Sequence, residues 1–156
     1  MTTHGDERAN VRLPGLVLGL GIGGFLDGIL LHQVLQWHHM LSNTGNDNLG
    51  LERHAPDTLA GLQMNTLWDG LFHVFTWLAV LIGLGLLYSR VVRARGRVWG
   101  SGVLWGWILV GWGVFNLVEG IIDHHLLAIH HVRPGPQQLW WDLGFLASGA
   151  ALVAGG

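Results

Sequence analysis

The sequence predicts an all-α integral membrane protein, a four-transmembrane-helix bundle made by a two-plus-two internal duplication. Three observations carry the prediction. Half of the residues are hydrophobic, only 12% are charged and the mean hydropathy is +0.41, the values of a chain that lives in lipid. Apolar stretches at about 13–40, 62–88, 98–131 and 137–156 are separated by polar, basic or proline-rich turns. One acid-and-histidine unit occurs twice: Asp27, His32, His38 and His39 are answered 92 positions on by Glu119, His124, His130 and His131. The chain reads as a single membrane domain over 1–156.

In chain order, Met1 to Arg12 is polar and mixed in charge, unlike a cleavable signal peptide, because the apolar run that follows is too long for one. The first span contains Gly19-Leu20-Gly21-Ile22-Gly23-Gly24, which fits the dinucleotide pattern G-x-G-x-x-G. That reading fails for want of a strand–helix–strand context. Gly15, Gly19 and Gly23 instead form a helix-packing stripe that Asp27 continues. Ser42 to Gly61 is a polar loop whose His54 reads as a solvated surface histidine.

The second span carries Asp69 and His73 and ends in the basic turn Arg90 to Arg97. The third has no charge between Arg97 and Glu119, then closes on Asp123, His124, His125, His130 and His131. Arg133-Pro134-Gly135-Pro136 breaks the helix. The fourth span holds Asp142 early and is still apolar at Gly156, as if cut short. Trp68, Asp69 and Phe72 match Trp141, Asp142 and Phe145, 73 positions on, so repeats at about 13–88 and 98–156 run in the same direction. Parallel repeats imply a pseudo-twofold axis along the membrane normal. His73 breaks the symmetry, since Leu146 is its counterpart.

Six of the eight arginines (Arg8, Arg12, Arg90, Arg93, Arg95 and Arg97) fall in the N-terminal tail and the basic turn, leaving Arg53 and Arg133 elsewhere. The positive-inside rule then puts both termini in the cytoplasm and the histidine-bearing ends outside. Trp37, Trp68, Trp140 and Trp141 read as one interfacial belt and Trp99 as part of the other.

Straight α-helices place the polar groups in layers. His38, His39, His130 and His131 form an outer layer, and His32, His73, His124, Asp69, Asp123 and Asp142 lie about 6–17 Å below it. Asp27 and Glu119 come deepest, at about 18 Å. Polar side chains often only glue spans together, but each ionisable group costs about 2.5–3.5 kcal/mol to insert, and this chain inserts many. A metal centre is the stronger reading. His32, His73, His124, Asp69 and Asp142 are the expected principal ligands, with Asp123 a ligand or an orienting acid. His38, His39, His130 and His131 are the expected outer or second site, and Asp27 and Glu119 the proton carriers or deep ligands.

With no cysteine present, disulfides, thiolate metal sites and iron–sulfur clusters are excluded. Imidazole with carboxylate suits a transition metal; iron or copper is favoured and zinc fits as well. The expected work is redox chemistry at a non-haem centre handling oxygen, electrons or a lipid-soluble substrate, which makes a membrane oxidoreductase one outcome. Metal transport, or metal delivery to a respiratory complex, is the alternative. A haem-binding cytochrome ranks third, because haem leaves the carboxylates unexplained. The lipid bilayer is the expected surrounding, with a respiratory or electron-transfer protein as candidate partner. Nucleic acid is not expected, since the chain has no lysine and its arginines sit where topology demands them.

The stretches Gly24-Phe25-Leu26-Asp27-Gly28-Ile29-Leu30-Leu31-His32-Gln33, Gln36-Trp37-His38-His39-Met40, Asp57-Thr58-Leu59-Ala60-Gly61, Asp69-Gly70-Leu71-Phe72-His73, Asn116-Leu117-Val118-Glu119-Gly120, His130-His131-Val132-Arg133-Pro134 and Trp141-Asp142-Leu143-Gly144-Phe145 carry a resemblance. The chain resembles the bacterial domain-of-unknown-function 2243 family of predicted membrane proteins. The resemblance spans nearly the whole chain and implies a four-span membrane protein; it implies no activity or cofactor. The positive-inside orientation places that protein in the bacterial cytoplasmic membrane.

Overall fold

A computed structural model describes residues 9–43, 54–96 and 100–156; the expectations attached to Arg8, Arg53, Arg97 and Trp99 lie outside them. Helix α1 covers Arg12–Asp27, α2 Leu59–Arg93, α3 Ser101–Glu119 and α4 Gln138–Gly155. Thr58 caps α2, its hydroxyl accepting from the Gly61 amide at 3.1 Å, as an N-cap threonine does. At the other end of α2, Arg95 and Gly96 take left-handed φ values of 53° and 77° and stop the helix.

Helices α1 and α3 form a central pair, α2 packs on α1, and α4 packs on α3. Across the molecule the order is therefore α2, α1, α3, α4, and the helices of the two halves pack together through α1 and α3. The glycine stripe makes that meeting close. A Cβ on Gly19 would strike the Ile108 carbonyl and one on Gly111 the Leu16 carbonyl, while the two glycines face each other at the centre. Gly19 and Gly111 are themselves 92 positions apart, so the pseudo-twofold axis passes between them. Only residues without a side chain allow such an approach.

The interior is polar and the exterior apolar. Asp27, His32, His38, Asn65, Asp69, Asn116, Glu119, His124, His130 and Asp142 are buried, whereas Phe75, Trp77, Ile82 and Tyr88 of α2 stand out from the molecule. That inversion is what lipid as solvent produces: the apolar side chains face hydrocarbon, and the polar ones find one another. The stretches Arg12–Val34, Leu59–Arg93 and Ser101–Leu126 are each long and apolar enough to cross a membrane. Helix α4, 18 residues with Gln138 and Asp142 near its start, is not among those three.

The expected continuous helices to residues 40 and 131 require correction. After Asp27 and Glu119 the chain opens into seven-residue π-helical segments, Gly28–Val34 and Gly120–Leu126, and regular helix ends there. Gln36 and Ala128 then take the left-handed conformation, each at φ 49°, and turn the chain aside. Residues 92 apart do this identically, so the irregularity belongs to the duplicated unit. π-Helical turns are rare and concentrate at functional sites.

Candidate metal centre

Asp27 and His32 are five residues apart. On an α-helix they would point about 140° away from each other. The π turn, closed by bonds between residues five apart, makes them neighbours instead, with His32 Nε2 3.4 Å from Asp27 Oδ2. Beyond the π segment the Leu35 amide donates to Leu30 O at 2.8 Å and the Trp37 amide to Leu31 O at 2.9 Å. The second copy repeats both bonds, from Leu127 to Ile122 at 2.7 Å and from Ile129 to Asp123 at 3.0 Å. This reversal carries His38 and His130 back over the ends of their own helices.

The result is two triads of one composition. Asp27, His32 and His38 bring ligand-type atoms within 4.8 Å of one another, and so do Glu119, His124 and His130. The triads share a wall. The His38 and His130 rings stack with centroids 4.7 Å apart and planes 5° apart, and His32–His38 and His124–His130 centroids lie at 4.4 and 4.9 Å. Six side chains thus form one buried cluster on the pseudo-twofold axis.

Three of the four imidazoles hold a hydrogen bond at Nδ1 and leave Nε2 free, while His124 has no hydrogen bond at either nitrogen. His32 Nδ1–H donates to Asp69 Oδ1 at 2.9 Å, His38 Nδ1–H to Val132 O at 2.8 Å, and His130 Nδ1–H to Met40 O at 3.2 Å. His124 Nδ1 stands 3.5 Å from Asp142 Oδ1. All four Nε2 atoms are buried without a hydrogen-bond partner, as are Asp27 Oδ2 and Glu119 Oε2. Buried polar atoms are rarely left so, and each such atom costs about 1–3 kcal/mol. Nitrogen lone pairs fixed by a hydrogen bond at the opposite ring atom are what metal-ligating histidines present.

Behind the cluster the two aspartates act alike. Asp69 also accepts from His39 Nδ1–H at 2.6 Å and from the Met40 amide at 2.9 Å. Asp142 accepts from His131 Nδ1–H at 2.7 Å and from the Val132 amide at 3.0 Å. Met40 and Val132 in turn hold His130 and His38 of the opposite repeat, so each half fastens an imidazole of the other. Asn65, one helical turn before Asp69, accepts from the Leu41 amide at 2.9 Å and secures the same returning segment. The sequence reading missed Asn65. Its signal was the polar row Asn65, Asp69, His73 at four-residue spacing on α2.

Several expected placements change. Asp27 and Glu119 do not form a deeper layer but sit beside His32 and His130, since the π turn and the reversal collapse the layers predicted from straight helices. His38 and His130 join that inner group, while His39 and His131, expected beside them in one outer layer, bond to Asp69 and Asp142. Asp69 and Asp142, expected as ligands, contact imidazole Nδ1 atoms from behind. His73 stands apart: its Nδ1–H donates to the Asp69 carbonyl at 2.7 Å, and its ring packs on Phe25 and Phe72. Asp123 is half-buried and borders a cleft next to Glu119.

His38 and His130 follow the ends of the spans. Burial pushes His38 down to about 4 and His130 well down too. Both rings are therefore neutral at ordinary pH, the form that carries a free lone pair.

A family described as predicted membrane proteins, domain of unknown function 2243, matches residues 14–156. No curated protein and no solved structure matches the chain.

Proposed function

Because the chain belongs to the domain-of-unknown-function 2243 family of predicted membrane proteins, we propose that a metal centre held within the bilayer is its working part. One observation carries the reading: four imidazole Nε2 atoms and two carboxylates, buried and unpartnered, converge at the duplication axis. Each triad contributes two histidines and one carboxylate. That set leaves coordination positions open and is the ligand pattern of non-haem iron; copper is the next choice, and zinc also fits the donors. Asp27 and Glu119 serve here as ligands whose charge offsets that of the metal, and Asp69 and Asp142 orient the imidazoles and raise their basicity.

The work we assign is redox chemistry with oxygen, electrons or a lipid-soluble substrate. His32 and His130 are fully buried, which favours a resident metal over one passed along as cargo. Arg12, at the start of α1, Arg90 and Arg93, in the last turn of α2, and Arg95, just beyond it, lie at the ends of those helices remote from the cluster. By the positive-inside rule the centre then faces the outer side of a bacterial cytoplasmic membrane, with both termini inside.

Elemental analysis and an absorption spectrum of the detergent-purified protein test the proposal. The expected result is about two equivalents of iron or copper, one per triad, with a spectrum that changes on reduction and has no Soret band. Metal at background level would sink it. Zinc that exchanges freely would remove the redox assignment and favour metal delivery.

A further inference from the structure

Where the backbones of α2 and α3 stay apart, a cleft of about 340 Å³ opens beside the six-residue cluster. That volume falls within the range of small-molecule sites, about 300–1,000 Å³. Its walls are apolar and aromatic: Phe72, Phe75 and Phe115, with the Phe72 and Phe115 centroids 6.1 Å apart, and Val118 and Ile122 along α3. Phe75 is 73% exposed and Val118 51%, so the mouth faces the lipid rather than an aqueous surface. At its inner end stands Glu119. Only 5% of that residue is exposed, one carboxylate oxygen is 3.7 Å from His130 Nε2, and the other has no partner.

The cleft is not a by-product of the duplication. Pseudo-symmetry puts Leu31 at the place of Asp123, Ser148 at that of Phe75, and the larger Trp112 at that of Leu20. A deep carboxylate stands on both sides, as Asp27 and Glu119, but the space and the wall of Phe75 and Phe115 occur on one, since Gly23 answers Phe115. With Glu119 Oε1, the oxygen beside His130 Nε2, turned to the metal, an acyl chain would fill the space and leave Oε2 unpaired, at a cost of about 1–3 kcal/mol. A hydroxyl on an aromatic ring satisfies both ends, because it donates to the carboxylate while its ring packs against phenylalanine side chains.

We propose that this cleft takes a lipid-soluble aromatic alcohol of the hydroquinone class, entering sideways from the bilayer between α2 and α3 and donating a hydroxyl hydrogen bond to Glu119. The assignment names the substrate class for the redox reading above and rests on it.

The test is equilibrium binding of decylubiquinol, under argon, to the full chain in detergent, with metal content assayed on the same sample. One saturable site per chain is expected. The dimethyl ether of the same quinol, which keeps the ring and loses both donors, should bind at least tenfold more weakly. Ala79→Phe, which fills the cleft from α2, should lose quinol binding while keeping its metal. Equal affinity for quinol and ether, absence of saturable binding, or full binding by Ala79→Phe would each overturn the proposal. The ether comparison needs no variant and stands even where Ala79→Phe does not fold. Quinol binding by a protein that never holds metal would leave the cleft and sink the redox reading; a metal-replete protein without quinol binding would do the reverse.

Discussion

Ala128 has no side-chain reason to occupy the left-handed region, yet it sits there at φ 49°, as Gln36 does in the other repeat. For an L-residue with a Cβ the conformation costs roughly 1–2 kcal/mol. The cost is tolerated because this turn delivers His130 to the cluster. Ala128→Gly removes the clash while keeping the path of the chain, so the thermal midpoint in detergent should rise by an amount equivalent to roughly 1 kcal/mol. An unchanged or lower midpoint would mean that the turn is not strained. The aspartates call for a different measurement. Asp69→Asn keeps the shape but loses the charge opposite His32, and chelator competition should show metal held about 10–100-fold more weakly. His73→Leu installs the residue that stands at the equivalent place in the second repeat, and its metal content should stay full; a loss would return His73 to the ligand set.

At the scale of elements, the glycine stripe and the π turns teach opposite lessons about what a sequence discloses. Gly15, Gly19 and Gly23 recur every fourth residue and were legible as a packing face, because helical spacing is the property that such packing uses. The convergence of Asp27 with His32 was not legible, since a separation of five sets the two apart on an α-helix and only the π turn joins them. Nor do Gln36 and Ala128 announce a reversal, for neither is the glycine or asparagine that normally marks a left-handed turn. What the sequence did disclose was that both copies share every one of these spacings.

The packing reading has a direct check. Gly19→Leu drives a side chain into the α3 backbone at the axis, and the protein should lose its folded, monodisperse form in detergent. Gly85→Ala, where an added Cβ meets nothing within 4 Å, should be neutral or stabilising by up to about 1 kcal/mol from helix propensity. Equal damage from both would remove the close α1–α3 approach as the basis of the fold.

The whole molecule is two copies of a two-helix unit, neither of which completes the six-residue cluster alone. His38 takes its orienting bond from Val132 and His130 takes its own from Met40, so the halves are tied at the cluster as well as at Gly19 and Gly111. Duplication explains why the buried cluster tolerates so many polar groups: each repeat supplies one acid and two imidazoles, and stacking across the axis shields both sets from lipid. It also sets how the centre should come apart. His32 and His124 each belong to one triad, whereas the stacked pair His38 and His130 lies where the triads meet. His32→Ala and His124→Ala should therefore each remove about half of the bound metal, and the double variant all of it, since a triad reduced to one histidine and one carboxylate no longer closes a site. His38→Ala should cost more than half, because His130 loses the ring stacked against it. Metal-to-protein ratios from elemental analysis of the purified variants decide the matter. If His32→Ala alone empties the protein, the six side chains serve a single shared metal; if it leaves the ratio unchanged, the first triad holds none.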